Sequence, residues 1–446
     1  MQFDLFETVK AKETKSIDTS EWGTFRDSLR APVHGWFTYP AGFSYKAVEH
    51  SIVESKLRKG KDIIYDPFMG SGTTNIVAKN LGFNSVGVEA HPFVFQITKA
   101  KLNWDLKFDY IQKGLFIIEK EIGKTNVPNN LQEYLSKNFP ELILKCFLPE
   151  TLFELLVIRN SLRKIEEIDI NAYNFFKIAL ICVLRDVSIA ATGWPYIAPN
   201  KIKITSMSKK GWHTYQNRVL KMFGDILEIR KKTSLVKTKH AIILGDSRNT
   251  KEWIEDESVD HIFTSPPYLN NFDYADRTRL EMYFMGDAKN WGEISNQVRT
   301  KLMTSATTQI NRNDSKYIFS NDFQRECNPI YLFLNDAVEK LTHLRIHKGG
   351  KKSYDLLTIG YFNDIYQILK DNFRVLKPRS KAIYILGDSA PYGIHIPTDE
   401  LIGKIGMCIG FKNYNIIPLR ARGGKWEKNP QRHSVALKEA VVILKK

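Results

Sequence analysis

The stretch Lys61-Asp62-Ile63-Ile64-Tyr65-Asp66-Pro67-Phe68-Met69-Gly70-Ser71-Gly72-Thr73-Thr74 decides the architecture. Its first six residues read as a short buried strand. The glycines mark a tight turn, and Thr73 to Leu81 reads as a helix stopped by Gly82. A second strand, Asn84 to Glu89, and a second helix, Pro92 to Trp104, follow directly. Two strand–helix units in succession predict a parallel sheet. Strands resume at His240–Leu244, Val259–Thr264 and Lys381–Gly387, with a helix at Thr358–Phe373. Asn415–Leu419 and Ala440–Leu444 read as a closing hairpin. The expected fold is therefore α/β and doubly wound, with a catalytic domain in two pieces, 34–104 and 240–446. A polar arm spans residues 1–33. A mainly helical insertion occupies 105–239, and a second insertion occupies 270–355.

The turn sits where a strand gives way to a helix, so its glycines let backbone approach a ligand beside free helix N–H groups. A phosphate-binding P-loop needs a lysine after the last glycine, and Thr73 stands there. A dinucleotide fingerprint needs a third glycine, and Asn75 takes its place. S-adenosylmethionine remains as the third candidate: an acidic strand end such as Asp66 can meet its ammonium group. Glu89 ends the second strand, where an acid can take both hydroxyls of a ribose.

A second chemical feature is Ser265-Pro266-Pro267-Tyr268, at the end of the apolar strand beginning at Val259. Ser265 precedes a proline and is held extended. The two prolines lack N–H groups, so their carbonyls are pure acceptors. The corner groups a hydroxyl, a carbonyl and an aromatic ring. Two acceptors gripping an exocyclic amine of a nucleobase favour a pyramidal nitrogen and aim its lone pair. The ring of Tyr268 suits stacking on the base.

The 446 residues carry a net charge of +16, with 43% hydrophobic and 26% charged side chains, which excludes general disorder. The whole excess lies in two segments. Residues 201–239 hold eleven lysines and arginines against Asp225 and Glu228, and residues 409–446 hold nine against Glu427 and Glu439. Such concentration points to a polyanion partner, while each cation taken singly also fits a solvated face. The candidate phosphate contacts are Lys209, Lys210, Lys231 and Lys232 in the first segment, and Arg277 and Arg279 after the proline corner. Arg420, Arg422 and Lys425 form a late glycine-containing loop. The cysteines, Cys146, Cys182, Cys327 and Cys408, form no CxxC pair, so reduced thiols are expected, with no structural zinc or other metal. No membrane-spanning run and no signal peptide are read, which predicts a cytoplasmic protein.

DPFMGSGTT and TSPPY together resemble motifs I and IV of the DNA amino-methyltransferases, which modify cytosine N4 or adenine N6. Val88-Glu89 resembles the end of motif II. Leu244-Gly245-Asp246-Ser247 resembles the motif III acid that contacts the cofactor adenine. His34 to Ser44 resembles motif X at the methionine end. The resemblance covers roughly residues 34–104 and 240–446. It implies a Rossmann-like class I S-adenosylmethionine-dependent methyltransferase sheet, with the insertions supplying recognition. It places Asp66, Pro67, Phe68, Gly70, Ser71, Gly72, Thr73, Glu89, Asp246, Tyr39, Phe43 and Ser44 around the cofactor. Ser265, Pro266, Pro267 and Tyr268 become the catalytic corner.

SPPY usually accompanies cytosine N4 chemistry, whereas the motif order, X and I before IV, gives no help in choosing the base. The expected activity is methylation of cytosine N4 in duplex DNA, with an alternative in adenine N6. The expected setting is a restriction–modification system with a cognate endonuclease as a possible partner. A guanine-N2 RNA methyltransferase and a non-catalytic nucleic-acid-binding protein are the rival classes. Monomer and dimer are both open. None of the cysteines follows a proline, so the cysteine-dependent 5-methylcytosine chemistry is rejected.

Overall fold

Buried strands separated by helices assemble one mixed sheet in the computed structural model, which describes residues 19, 21–38, 42–192, 196–270, 272–314, 317–347, 352–422 and 435–446. The strands are β1 (Ile63–Asp66), β2 (Asn84–Glu89), β3 (Ala190–Ala191), β4 (Ala198–Ile202), β5 (His240–Leu244), β6 (Val259–Thr264), β7 (Leu376–Gly387), β8 (Asn413–Arg422) and β9 (Leu437–Lys445). Seven of them pair in the order β5-β2-β1-β6-β7-β9-β8. The first five run parallel, and β9 lies antiparallel between β7 and β8. The predicted closing hairpin is therefore present, with its later strand as the inner one. β3 and β4 form a separate two-stranded ribbon.

Alternation along the strands feeds two cores. Ile64, Phe263, Ile383 and Val441 pack on one face against the helices Tyr45–Glu54 and Thr73–Leu81. Tyr65, Ile262, Tyr384 and Val442 point the other way, toward the helices Asn328–His347, Tyr354–Val375 and Thr398–Ile409. A sheet buried on both faces explains the near-continuous apolar character of its central strands.

Some boundaries differ from those expected. β1 begins at Ile63 rather than Lys61, because Asp62 turns back to accept from the Arg58 backbone N–H at 2.7 Å and from its guanidinium. The second helix ends at Lys101 rather than Trp104. The Trp104 indole N–H donates to the Lys101 carbonyl at 2.7 Å and satisfies a helix-end acceptor.

Residues 105–239 are mainly helical as the pattern implied, and their apolar stretch Phe175–Leu184 lies in the helix Ile170–Val187. They share a core with neighbouring regions. Phe93, Val94 and Ile97 of the helix Pro92–Lys101 join Phe175, Phe176 and Leu180 in one cluster, and Leu280 and Phe284 after the proline corner join it too. Trp36 meets Phe175 edge to face at 5.8 Å and donates its indole N–H to Asp225 at 2.9 Å.

Glu281 ties this shared core together electrostatically. Its side chain is fully buried and accepts from Arg185 at 2.5 and 3.2 Å and from Arg277 at 3.4 Å. Burial would raise its pKa, but the two guanidinium groups outweigh that and hold it below the ordinary glutamate value. Arg185→Met should leave this buried carboxylate with one weak partner. A loss of about 3 kcal/mol is expected in urea unfolding, since breaking a buried pair strands its charge.

Candidate functional site

Parallel strands bring their C-terminal ends to one edge, and the strand order reverses direction between β1 and β6. Ligands of open α/β sheets bind at such a switch point. A cleft partly open to solvent lies there. It is lined by Pro67, Phe68, Met69, Gly70, Ser71 and Thr73 after β1 and by Glu89 at the end of β2. Asp246 and Ser247 follow β5, and Ser265 and Pro267 follow β6. Gly42 and Phe43 close one side. Motifs more than two hundred residues apart thus face one volume.

The glycine loop is anchored by carboxylates. Glu89 accepts from the Gly70 N–H at 2.8 Å through one oxygen and from the His91 N–H at 2.8 Å through the other. The Thr98 hydroxyl donates to the Gly70 carbonyl at 2.7 Å. Asp66 accepts from the Phe68 N–H at 3.0 Å and from the Thr264 hydroxyl at 2.6 Å, while its second oxygen is buried without a partner. Burial raises the Asp66 pKa to about 6 and that of Glu89 to about 7. Asp246 is pinned by its neighbour Arg248, which also reaches Asp364 at 2.8 Å.

Three of the expected cofactor residues stand elsewhere than on the cleft wall. Asp66 lies beneath it, fully buried. Gly72 adopts φ +85° as the N-cap of its helix, and a Cβ there would come within 2.6 Å of Thr98. Its need for glycine is internal, not space for a ligand. Ser44 is buried, caps the helix Tyr45–Glu54 by accepting from the Lys46 N–H, and donates to Asp27 at 3.2 Å. Tyr39 lies outside the described residues.

The proline corner is similarly divided. Ser265 and Pro267 line the cleft, and the Ser265 hydroxyl is buried with no hydrogen bond. Tyr268 is 5% exposed, and its hydroxyl donates to Glu439 of β9 at 2.7 Å. The Arg422 guanidinium covers its ring at 5.0 Å.

Several expected phosphate-binding cations are paired within the protein, although only Arg277 of the described ones is buried and Arg420 stays exposed. Arg277 is 5% exposed and donates to the Thr38 carbonyl at 2.8 Å. Arg279 pairs with Asp276 at 3.1 Å and lies over Trp291. Arg420 donates to Glu439 at 2.7 Å, and Arg422 to the Asp388 carbonyl at 3.0 Å. Lys425 lies outside the described residues. The helix Gly211–Lys232 separates the remaining lysines by about 33 Å, at 1.5 Å per residue. Lys231 and Lys232 end beside Gly82, because Ser234 donates its N–H to Asn80 and nearly touches Gly82. That is the edge of the sheet opposite the cleft. Lys209 lies at the other end, with its ammonium on the Asp186 carbonyl at 3.0 Å.

The opposite wall, made by Tyr274, Lys301, Leu302, Met303 and Ser305 of the second insertion, was not foreseeable from motifs, because those residues carry none. Asp364, in the predicted helix, accepts from both Arg248 and the Thr304 N–H and so joins this wall to Asp246. Among the described residues no group of three or more His, Cys, Asp or Glu side chains is placed to hold a metal. No described helix is long and apolar enough to cross a membrane.

Known proteins resemble this chain in the same regions. A family model described as DNA methylase matches residues 6–100. The type II methyltransferase M.BsoBI of Geobacillus stearothermophilus is 28% identical over 95% of this chain and 87% of its own length. M.MvaI of Kocuria varians is 23% identical over 88% of this chain and 84% of its own, and M.AvaI of a Nostoc species is 24% identical over 95% and 88%.

The raised carboxylates make stability depend on pH. A folded pKa above the unfolded value gives stabilisation that is complete below the unfolded pKa and lost as pH rises through the folded one. The contribution of Asp66 and Glu89 should therefore fade between about pH 4 and pH 7. Thermal unfolding of the ligand-free protein across that window should show the decline, and Glu89→Gln should flatten it. An equal slope in the variant would place the titration elsewhere.

Proposed function

We propose, from a resemblance to the DNA amino-methyltransferases that spans most of the chain, that this protein transfers a methyl group from S-adenosylmethionine to cytosine N4 in duplex DNA. The observation that carries the reading is the convergence of the glycine loop, Glu89, Asp246 and Ser265 on one cleft. Glu89 is suited to the ribose hydroxyls and Asp246 to the adenine edge. Phe43 and Phe68 supply apolar wall, and the unpartnered Asp66 oxygen beneath the loop leaves a negative site near the aminoacyl end. The cofactor supplies an electrophilic methyl group on a sulfonium.

The chain's own residues then orient the amine. Ser265 and the Pro266 carbonyl are proposed to accept the two amino protons, which directs the nitrogen lone pair at the methyl group. Tyr268, buried behind the cleft wall and covered by Arg422, is proposed to back the corner against which the base lies. Its hydroxyl, held by Glu439, fixes the ring plane. The nitrogen loses a proton after it has become cationic, so no strong general base is needed. Rate arises from positioning and electrostatics. SPPY supports cytosine over adenine, and the names of the relatives, type II methyltransferases, support a modification enzyme, for which a cognate endonuclease is the proposed partner.

Mass spectrometry of nucleosides from treated duplex DNA should show N4-methylcytosine. N6-methyladenine would remove the cytosine assignment alone, and methylation confined to RNA would remove the DNA reading. Ser265→Ala should lower turnover only modestly, because the carbonyl acceptor remains. Cofactor affinity, read by calorimetry, should rise on the order of tenfold from pH 5.5 to 8 as Glu89 ionises.

The two lysine groups should separate in salt titrations of duplex binding. Neutralising Lys209 and Lys210 should flatten the dependence, by about 0.9 log units per log unit of salt for each phosphate left without its cation. Neutralising Lys231 and Lys232, at the far edge, should leave it unchanged. The reverse result would put the duplex on the opposite edge of the sheet.

A further inference from the structure

The ribbon that precedes the helix Gly211–Lys232 has a composition that its own folding does not explain. From Tyr196 to Lys210 it contains Lys201, Lys203, Lys209 and Lys210 and no acidic residue. Ile202 is 66% exposed and Ile204 79% exposed. Isolated exposed apolar residues are ordinary, but two β-branched side chains projecting together among lysines form a surface of one kind. Its base is fixed. Ser206 is buried and donates to the Asp186 carbonyl at 3.3 Å, and the Lys203 N–H donates to the Ile189 carbonyl at 2.6 Å. The isoleucines are thus held out on an anchored support.

The tip of the ribbon, six residues before Ile202, adjoins the cleft. The Tyr196 hydroxyl accepts from the Asp273 N–H at 3.3 Å, and the next residue, Tyr274, lines the cleft wall. Resting on the proposed function, we infer that this ribbon is a duplex-gripping wedge. Its lysines meet the phosphates, and Ile202 and Ile204 enter the base stack where the target base has left it. Extruding a base costs a few kcal/mol of stacking and pairing, and apolar side chains inserted at the step offset part of that cost. The occupant is duplex DNA because a basic, acid-free surface is complementary to phosphate and the tip of its ribbon reaches the cleft that would receive the base.

The test is the double variant Ile202→Ser/Ile204→Ser in the full chain, whose exposed positions leave the fold intact. The substrates are a duplex carrying a site first mapped by sequencing DNA treated with the wild-type enzyme, and the same duplex with the target base mismatched. A mismatched base is already partly unpaired and needs less help to leave. Turnover on the paired duplex should fall on the order of tenfold, recover on the mismatched one, and leave cofactor affinity unchanged. Wild-type turnover on the paired duplex, or an equal loss on both substrates, would overturn the wedge. So would Ile-dependent binding to anionic vesicles with unaltered DNA turnover. A wild-type enzyme that methylates no DNA would instead overturn the proposed function on which the wedge rests.

Discussion

The site depends on one buried carboxylate. Asp66 ends β1, and its oxygen takes both the Phe68 N–H and the Thr264 hydroxyl at the end of β6. These two bonds span the point where the sheet changes direction, so they hold the glycine loop against the proline corner. The carboxylate is desolvated for this purpose, which raises its pKa to about 6. A group buried with one unmatched oxygen is a cost in the ligand-free fold. It is the kind of cost found where a structure is arranged around a charged ligand.

The same reasoning explains where the basic charge goes. A positive charge counted along the chain looks like a surface until its partners are known. Arg277 and Arg185 neutralise Glu281 inside the shared core. Arg420 holds Glu439, which in turn holds Tyr268, while Arg422 covers the Tyr268 ring. These late arginines therefore help shape the corner, with Arg422 half-buried and Arg420 still exposed over 41% of its side chain. Charge counts do not register pairing, because the acids that match these arginines lie from four to nearly a hundred residues away.

The two insertions are coupled rather than appended. Phe139 stacks on Phe284 at 5.4 Å, and the Arg159 guanidinium donates to the Phe284 carbonyl at 2.5 Å. The helices of residues 105–239 thus grip the segment that follows the proline corner. A contact made on the helical side can reach the cleft wall through packed side chains, without a hinge between them.

Local sequence determined the strands, the glycine turn, the helix it caps and the proline corner, because each rests on neighbours within a few residues. Strands β2, β5 and β6 and the helix Thr73–Leu81 have the limits that their patterns imply. The membership of Gly70, Glu89, Asp246 and Ser265 in one cleft was legible through motif spacing, since parallel strands of similar length must end together. Tertiary structure alone decided which of those residues touch the cleft and which support it from behind. Gly72 and Ser44 became helix caps and Tyr268 a buried ring. Tertiary structure alone also supplied the wall from Lys301 to Ser305 and consumed Arg277 in the core. Those outcomes turn on burial and on long-range partners, and a side chain's partner across the fold leaves no periodic trace in the chain.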